Sequence, residues 1–107
     1  MSQPTASFYV LLALSKGPSH GLGIAEDVAE FTSGEVLLGP GTLYRCLKDL
    51  AADGAIERAE VAEPPGVTHR KHHRLTPSGA AELRRILAGL NRLTDVGRAR
   101  VARLREA

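Results

Sequence analysis

The stretch from Leu38 to Gly54, LGPGTLYRCLKDLAADG, constrains the architecture of this chain more than any other segment. It opens on a stiff turn, Gly39-Pro40-Gly41, and continues with apolar residues at helical spacing. Leu43, Leu47, Leu50 and Ala51 recur at three- and four-residue steps, which predicts one buried stripe. Pro40 suits the first helical position, where its missing N–H is no loss, and Gly54 suits the left-handed residue that ends a helix. Thr42, Arg45, Lys48 and Asp49 fall on the opposite side. The N-terminal end of this helix presents free backbone N–H groups beside a hydroxyl and a guanidinium. Such an end can receive a phosphate.

Upstream, Thr5 to Lys16 contains FYVLLAL between small polar residues and stops at Gly17-Pro18, which predicts a first helix. Phe8, Leu11 and Leu12 share one face, with Tyr9, Val10 and Leu14 around it. A helix apolar nearly all round is buried on more than one side, and in so small a chain a second subunit is the expected cover. A second helix follows, with Ser19 as cap and Ile24, Ala25, Val28 and Phe31 as its inner face. Thr32-Ser33-Gly34 ends it. Helix, connector and helix with a glycine-bearing turn fit a helix-turn-helix.

After Gly54 the period changes. Ala55, Glu57, Ala59 and Val61 alternate with Ile56, Arg58 and Glu60, the pattern of a strand. Glu63-Pro64-Pro65-Gly66 is a turn or loop, and His69 to Leu75 is the returning strand, carrying Arg70, Lys71 and Arg74. The pair forms a two-stranded wing. Thr76 then caps a last helix with Pro77 at its first position. Leu83, Ile86, Leu87, Leu90, Leu93, Val101 and Leu104 recur at three-, four- and seven-residue steps, with a break expected near Gly97. That stripe is longer than the domain needs to cover itself, so it reads as a dimer seam. Seven arginines decorate its outside.

Composition decides what kind of partner such a frame serves. The formal net charge is only +2, but residues 16–63 carry four bases and nine acids, whereas residues 64–107 carry ten bases and three acids. Halves of opposite sign suggest nucleic acid, although an arginine-rich solvated helix alone produces the same asymmetry. Cys46 stands alone, which excludes an internal disulfide and suits a reducing compartment. The longest apolar run, Phe8 to Leu14, falls far short of the ~20 residues of a membrane span. A soluble, cytoplasmic protein without a membrane partner is expected. His72 and His73 are adjacent and point to opposite faces of a strand, which is poor metal-ligand spacing, so no metal or other cofactor is expected. No nucleophile–base spacing, phosphate-binding glycine loop or paired carboxylates stand out, so no catalytic residues are assigned and no enzyme is expected.

The order helix, helix, helix, wing, long helix, with these residues in it, resembles the PadR family of bacterial transcriptional regulators. The matching stretches are FYVLLALSKGPSHGLGI, LGPGTLYRCLKDLAADGAIE and RKHHRLTPSGAAEL, together spanning roughly residues 8–84. The resemblance implies a mainly α fold: a winged helix-turn-helix with a two-stranded wing and a long C-terminal dimerisation helix. Residues 1–76 would be the DNA-binding domain, its first helix also dimer-forming. Residues 77–107 would be the dimerisation helix of the family's compact branch. It implies a homodimeric repressor on double-stranded DNA with an inverted-repeat operator, released by a small hydrophobic or aromatic effector. Thr42 and Tyr44 match the family's phosphate-contacting positions, Gly41 lets the backbone approach the duplex, and Arg45 and Lys48 follow one turn on. Arg70 and Lys71 would meet phosphates from the wing. Phe8, Tyr9, Leu12, Leu90 and Leu93 would form the dimer core and any effector pocket within it. Leu22, Gly39 and His72-His73 depart from the family's usual aromatic residue, capping serine and aromatic pair. The competing expectation is a winged-helix protein–protein interaction module that docks through its arginine-rich last helix.

Overall fold

The structure, a computed structural model, describes residues 5–66 and 70–106. Its elements in order are α1 (Ala6–Leu14), β1 (Ser19–His20), α2 (Gly21–Phe31), α3 (Pro40–Ala52), β2 (Ile56–Ala59), β3 (His72–Leu75) and α4 (Pro77–Glu106). The result is mainly helical with one small antiparallel sheet: a winged helix-turn-helix. Thr5 starts α1 by accepting the Phe8 N–H on its hydroxyl at 3.3 Å. The helix then packs against α2, α3, α4 and β3 at once, which is why it has no polar face. One copy of the chain therefore buries Phe8, Val10, Leu11, Ala13 and Leu14 by itself, and Ala6, Ser7, Tyr9 and Leu12 stay half-buried. Most of the apolar surface of this helix is thus covered within one copy of the chain.

The start of α2 also corrects the sequence reading. His20, not Ser19, is the cap, and its Nδ1 accepts the Gly23 N–H at 3.2 Å. Ile24 and Val28 reach the core, Ala25 is half-buried, and Phe31 stays 40% exposed beside the Tyr9 ring, centroids 6.4 Å apart. On α3 the buried stripe is Leu43, Cys46 and Leu50, with Leu47 half-buried and Ala51 exposed. Cys46 joins the core cluster that also contains Phe8, Val10, Leu11 and Leu14 of α1, whereas Ala51 does not. Gly39 precedes α3 without a side-chain cap, and Pro40 occupies the first turn as expected. Gly54, at φ +77°, ends α3 with the paired bonds Ala55 N–H to Leu50 O (2.9 Å) and Gly54 N–H to Ala51 O (3.1 Å).

The sheet has three strands in the order β1-β3-β2. The wing hairpin β2–β3 pairs Ile56 with Leu75 and Ala59 with His72, and β1 adds to the other edge of β3 by pairing His20 with His72. The third strand is two residues long, too short to leave an alternating pattern. The returning strand begins at His72, so Arg70 and Lys71 precede it rather than lie on it; His69 falls outside the described residues. Nor is β2 a simple alternation: Ile56 and Ala59 are buried while Glu57 and Arg58 are exposed.

Where β3 ends, Thr76 joins three elements. Its hydroxyl donates to Gly54 O at 2.6 Å and accepts the Gly79 N–H at 3.0 Å, while its own N–H donates to Ala55 O at 3.0 Å. From this junction α4 runs for 30 residues, about 45 Å at 1.5 Å per residue, without a break at Gly97. Leu83 is buried and Ile86 and Leu90 are half-buried, but every residue from Asn91 to Arg105 is exposed. Gly79 faces Ala55 so closely that a Cβ there would fall 1.9 Å from the Ala55 carbonyl oxygen. Because the obstacle is backbone, Gly79→Ala is expected to destabilise the fold by about 3 kcal/mol. The loss should register as a lower urea midpoint at unchanged slope. A variant as stable as the parent would mean that α4 can shift away from Ala55 without loss.

Candidate nucleic-acid interface

The outer side of α3 carries Gly41, Thr42, Tyr44, Arg45 and Lys48, all exposed, with Tyr44 70% so. Tyr44 is thus a surface residue. At the helix start the Leu43 N–H reaches Gly39 O at 2.9 Å, Pro40 has no N–H, and the Gly41 and Thr42 N–H groups have no intrahelical acceptor. Two free donors and the positive end of the helix dipole therefore point outward beside the Thr42 hydroxyl.

Arg70 and Lys71 approach from the wing. They line one groove together with Tyr44 and Lys48, between α3 and the β1–α2 junction, although about twenty residues separate the two segments in sequence. Gly41, Thr42 and Arg45 share the exposed side of the helix but do not line this groove. The groove also holds His20, Leu22, Leu47, Ala51 and His73, none of which was assigned to the interface from sequence. His20 and the glycine after it were legible as a motif, but nothing in the spacing placed them opposite Lys48. Arg74 spends its charge elsewhere, on Glu57 at 2.8 Å.

Histidines set the position of Arg70. His72, nearly buried, donates from Nδ1 to the Arg70 carbonyl at 3.1 Å, with Glu63 Oε1 3.8 Å away. The His72 ring meets the His20 ring edge-on at 5.1 Å. The Arg70 guanidinium in turn reaches His20, Nη1 to Nε2, at 3.0 Å. A guanidinium only donates, and a neutral imidazole has one N–H and one lone pair. While His20 Nδ1 accepts the Gly23 N–H, Nε2 carries the proton and faces Arg70 donor to donor. In the other tautomer Arg70 is satisfied and the α2 cap is lost. One of the two contacts is always unmet.

Burial, then Arg70 and His72, hold the His20 pKa below its ordinary value of 6.5, against Glu63 and Glu26. Burial, then Arg58, Lys71 and His72, do the same to His73, whose Nδ1 is buried without a hydrogen-bond partner among the described residues. No group of three His, Cys, Asp or Glu side chains converges as a metal site among the described residues. Nor is any described helix long and apolar enough to cross a membrane.

The family model of the transcriptional regulator PadR-like family matches residues 10–85, the helix-turn-helix, the wing and the start of α4. The chain belongs to that family. Solved structures agree in fold. A PadR family transcription regulator from Clostridium difficile is 26% identical, with a TM-score of 0.73 over 84% of this chain and 91% of that one. A transcriptional regulator from Clostridium thermocellum is 23% identical, with a TM-score of 0.71 over 84% of each chain. Bacillus subtilis PadR, solved in complex with operator DNA, is 24% identical with a TM-score of 0.67, over 80% of this chain and 48% of that one. No curated protein matches the sequence. The PadR-like family and these neighbours are transcriptional regulators, not enzymes. The compact reach of α4 beyond residue 85 lies outside the family match.

The two histidines are expected to make this PadR-like fold acid-sensitive. Both are easier to protonate in the unfolded chain, so stability is full above 6.5 and is lost as pH falls below it toward the lower folded values. The melting temperature should fall between about pH 7.5 and about pH 5.5. His20→Asn, which keeps a capping side chain, should flatten the fall, and adding His73→Gln should flatten it further. A wild-type melting temperature that stays level across this window would disprove the linkage.

Proposed function

We propose that this PadR-like regulator is a homodimeric repressor that binds an inverted-repeat operator through α3 and the wing and is released by a small-molecule effector. One observation carries the DNA reading. Tyr44 and Lys48 from α3 converge with Arg70 and Lys71 from the wing, and among the described residues no carboxylate lines the groove between them. In this geometry α3 enters the major groove with its N-terminal end toward the duplex. Gly41 and Thr42 meet a phosphate through the free N–H groups and the hydroxyl. Arg45, near the centre of the exposed face, is the residue suited to bidentate contact with guanine. Lys48, Arg70 and Lys71 neutralise backbone phosphates, which position the protein without reading sequence.

The division of labour proposed here places DNA binding in residues 1–76 and pairing in residues 77–107. Support for pairing comes from α4, whose apolar stripe continues past the body of the domain with Leu93 46%, Val101 59% and Leu104 72% exposed. An apolar helical stripe of that length stands uncovered in a single copy, and a second α4 supplies the matching stripe. Tyr9, Leu12 and Leu90 lie half-buried against the core and Phe8 is inside it, so only their outer edges are available to such an interface. Half-sites would then lie about one helical turn (~34 Å) apart.

Two measurements test this reading. A gel shift on the DNA upstream of the protein's own gene, at two salt concentrations, should show a complex that weakens steeply with salt. Arg70→Ala should weaken it on every sequence and flatten the log–log salt slope by about one unit per bound protomer. Absence of any shift at low salt would favour the interaction-module reading instead. For pairing, Leu93→Glu with Val101→Glu should convert a dimer to a monomer in sedimentation, and an unchanged mass would remove the distal half of α4 from the interface.

A further inference from the structure

Where the wing meets the start of α2, two hydrogen-bond donors are held against each other. Arg70 Nη1 lies 3.0 Å from His20 Nε2, and a guanidinium has no lone pair to offer. The fold fixes the His20 ring closely. Its Nδ1 accepts the Gly23 N–H, and the His72 ring stands nearly perpendicular to it with centroids 5.1 Å apart. A Cβ on Gly23 would fall 3.4 Å from His20 Cε1, so the absent side chain leaves the ring its place. His72 also holds the Arg70 carbonyl through Nδ1, which anchors the backbone beneath the guanidinium. The guanidinium itself ends a long exposed side chain and can open away from the ring. With the α2 cap kept, Nε2 carries the ring proton, and an oxygen seated between Nε2 and Nη1 accepts from both.

The surroundings specify that oxygen. Lys48, Arg70 and Lys71 line the same groove, and among the described residues no acid does. A water would satisfy the two donors but leave three cations uncompensated, so the acceptor is anionic. The floor between them is apolar, made of Leu22, Leu47 and Ala51, with Leu22 58% exposed. A nucleic-acid backbone fits both features, its phosphates on the cations and its sugars on the floor. We propose that His20 and Arg70 clamp one phosphate of the DNA backbone, His20 donating from Nε2 and Arg70 from its guanidinium to the same oxygen. The clamp rests on the DNA reading proposed above and adds His20 to that interface. Because its two donors come from the cap of α2 and from the wing, one phosphate ties the wing to the helix-turn-helix. His20 serves as a neutral donor: burial, then Arg70 and His72, keep its pKa below the ordinary 6.5. A ring that donates from Nε2 also keeps its Nδ1 lone pair on Gly23, so the clamp and the α2 cap reinforce each other.

The test uses the full-length protein and a duplex from the region upstream of its own gene, at about pH 7.5. With the histidines labelled with nitrogen-15, NMR of the free protein should show His20 divided between its two tautomers. The bound protein should show the Nε2–H form alone. His20→Asn keeps the cap through Oδ1 but ends short of the phosphate. It should weaken binding about tenfold on any sequence and leave the log–log salt slope unchanged, whereas Arg70→Ala flattens that slope. Backbone phosphates are then replaced one at a time by neutral methylphosphonate. At one position the wild-type loss, about tenfold, should nearly vanish in both variants, since each has already lost that contact. The clamp fails if variant and methylphosphonate losses add at every position, or if the bound ring keeps both tautomers or turns to Nδ1–H. Inorganic phosphate that locks the ring as fully as the duplex would make the pair a free-anion site and overturn it too. No shifted duplex at low salt sinks the regulator reading and the clamp with it; a shifted duplex with additive losses sinks the clamp alone. Should His20→Asn fail to fold by circular dichroism, the wild-type tautomer and the Arg70→Ala cycle decide.

Discussion

The arrangement of this molecule hangs on one threonine. Thr76 receives and gives hydrogen bonds that tie the end of α3, the beginning of β2 and the first turn of α4 into one backbone junction. Gly79 completes it by pressing the first turn of α4 against the Ala55 carbonyl, a contact that only a residue without a side chain allows. Because the joint is made of backbone groups and one short hydroxyl, little side-chain freedom is lost in forming it. The direction of α4 relative to α3 is therefore set by fixed-length bonds and not by the packing of long side chains. Core packing then follows from that frame, with α1 filling the space among the helices and the sheet.

At the other end of α3 the molecule tolerates groups that its core would not. Gly39 leaves the helix start uncapped by any side chain, Tyr44 stands in solvent, and His20 serves two donors with one lone pair. An unmet contact such as the one at His20 is uncommon in a folded chain and is found where a partner supplies what is missing. All three lie around the same groove or on its helix. The conflict at His20 is the most informative because it specifies the sign of the missing partner: two donors ask for an acceptor.

Much of this was legible in the chain, and the failures have physical reasons. Proline and glycine punctuation placed the start and end of α3 and the start of α4 correctly, because those residues restrict the backbone wherever they stand. The family, the helix-turn-helix and the hairpin were likewise legible. Periodicity gave α3 a stripe whose phase was slightly off: it counted leucine and alanine and passed over cysteine, but the folded core takes in Cys46 and leaves Ala51 exposed. Ser19 obeys the usual capping preference and His20 does not, yet the imidazole is the one that reaches Gly23. The strand β1 has two residues and exists only because β3 offers an edge. For the site, charge and the family resemblance singled out Lys48, Arg70 and Lys71, which the structure brings to one groove. The apolar floor was invisible because Leu22 and Leu47 belong to different helices and meet only in three dimensions.

One further consequence follows from the length of α4. A rigid rod of about 45 Å, fixed at Thr76 and Gly79, is a lever arm: a tilt of about 5° at the joint carries its tip roughly 4 Å sideways. Read in reverse, a force applied near Leu104 arrives at the α3–wing junction magnified in torque. Whatever holds the free end of α4 thereby tunes the angle at which α3 is presented, without touching a single residue on its outer face.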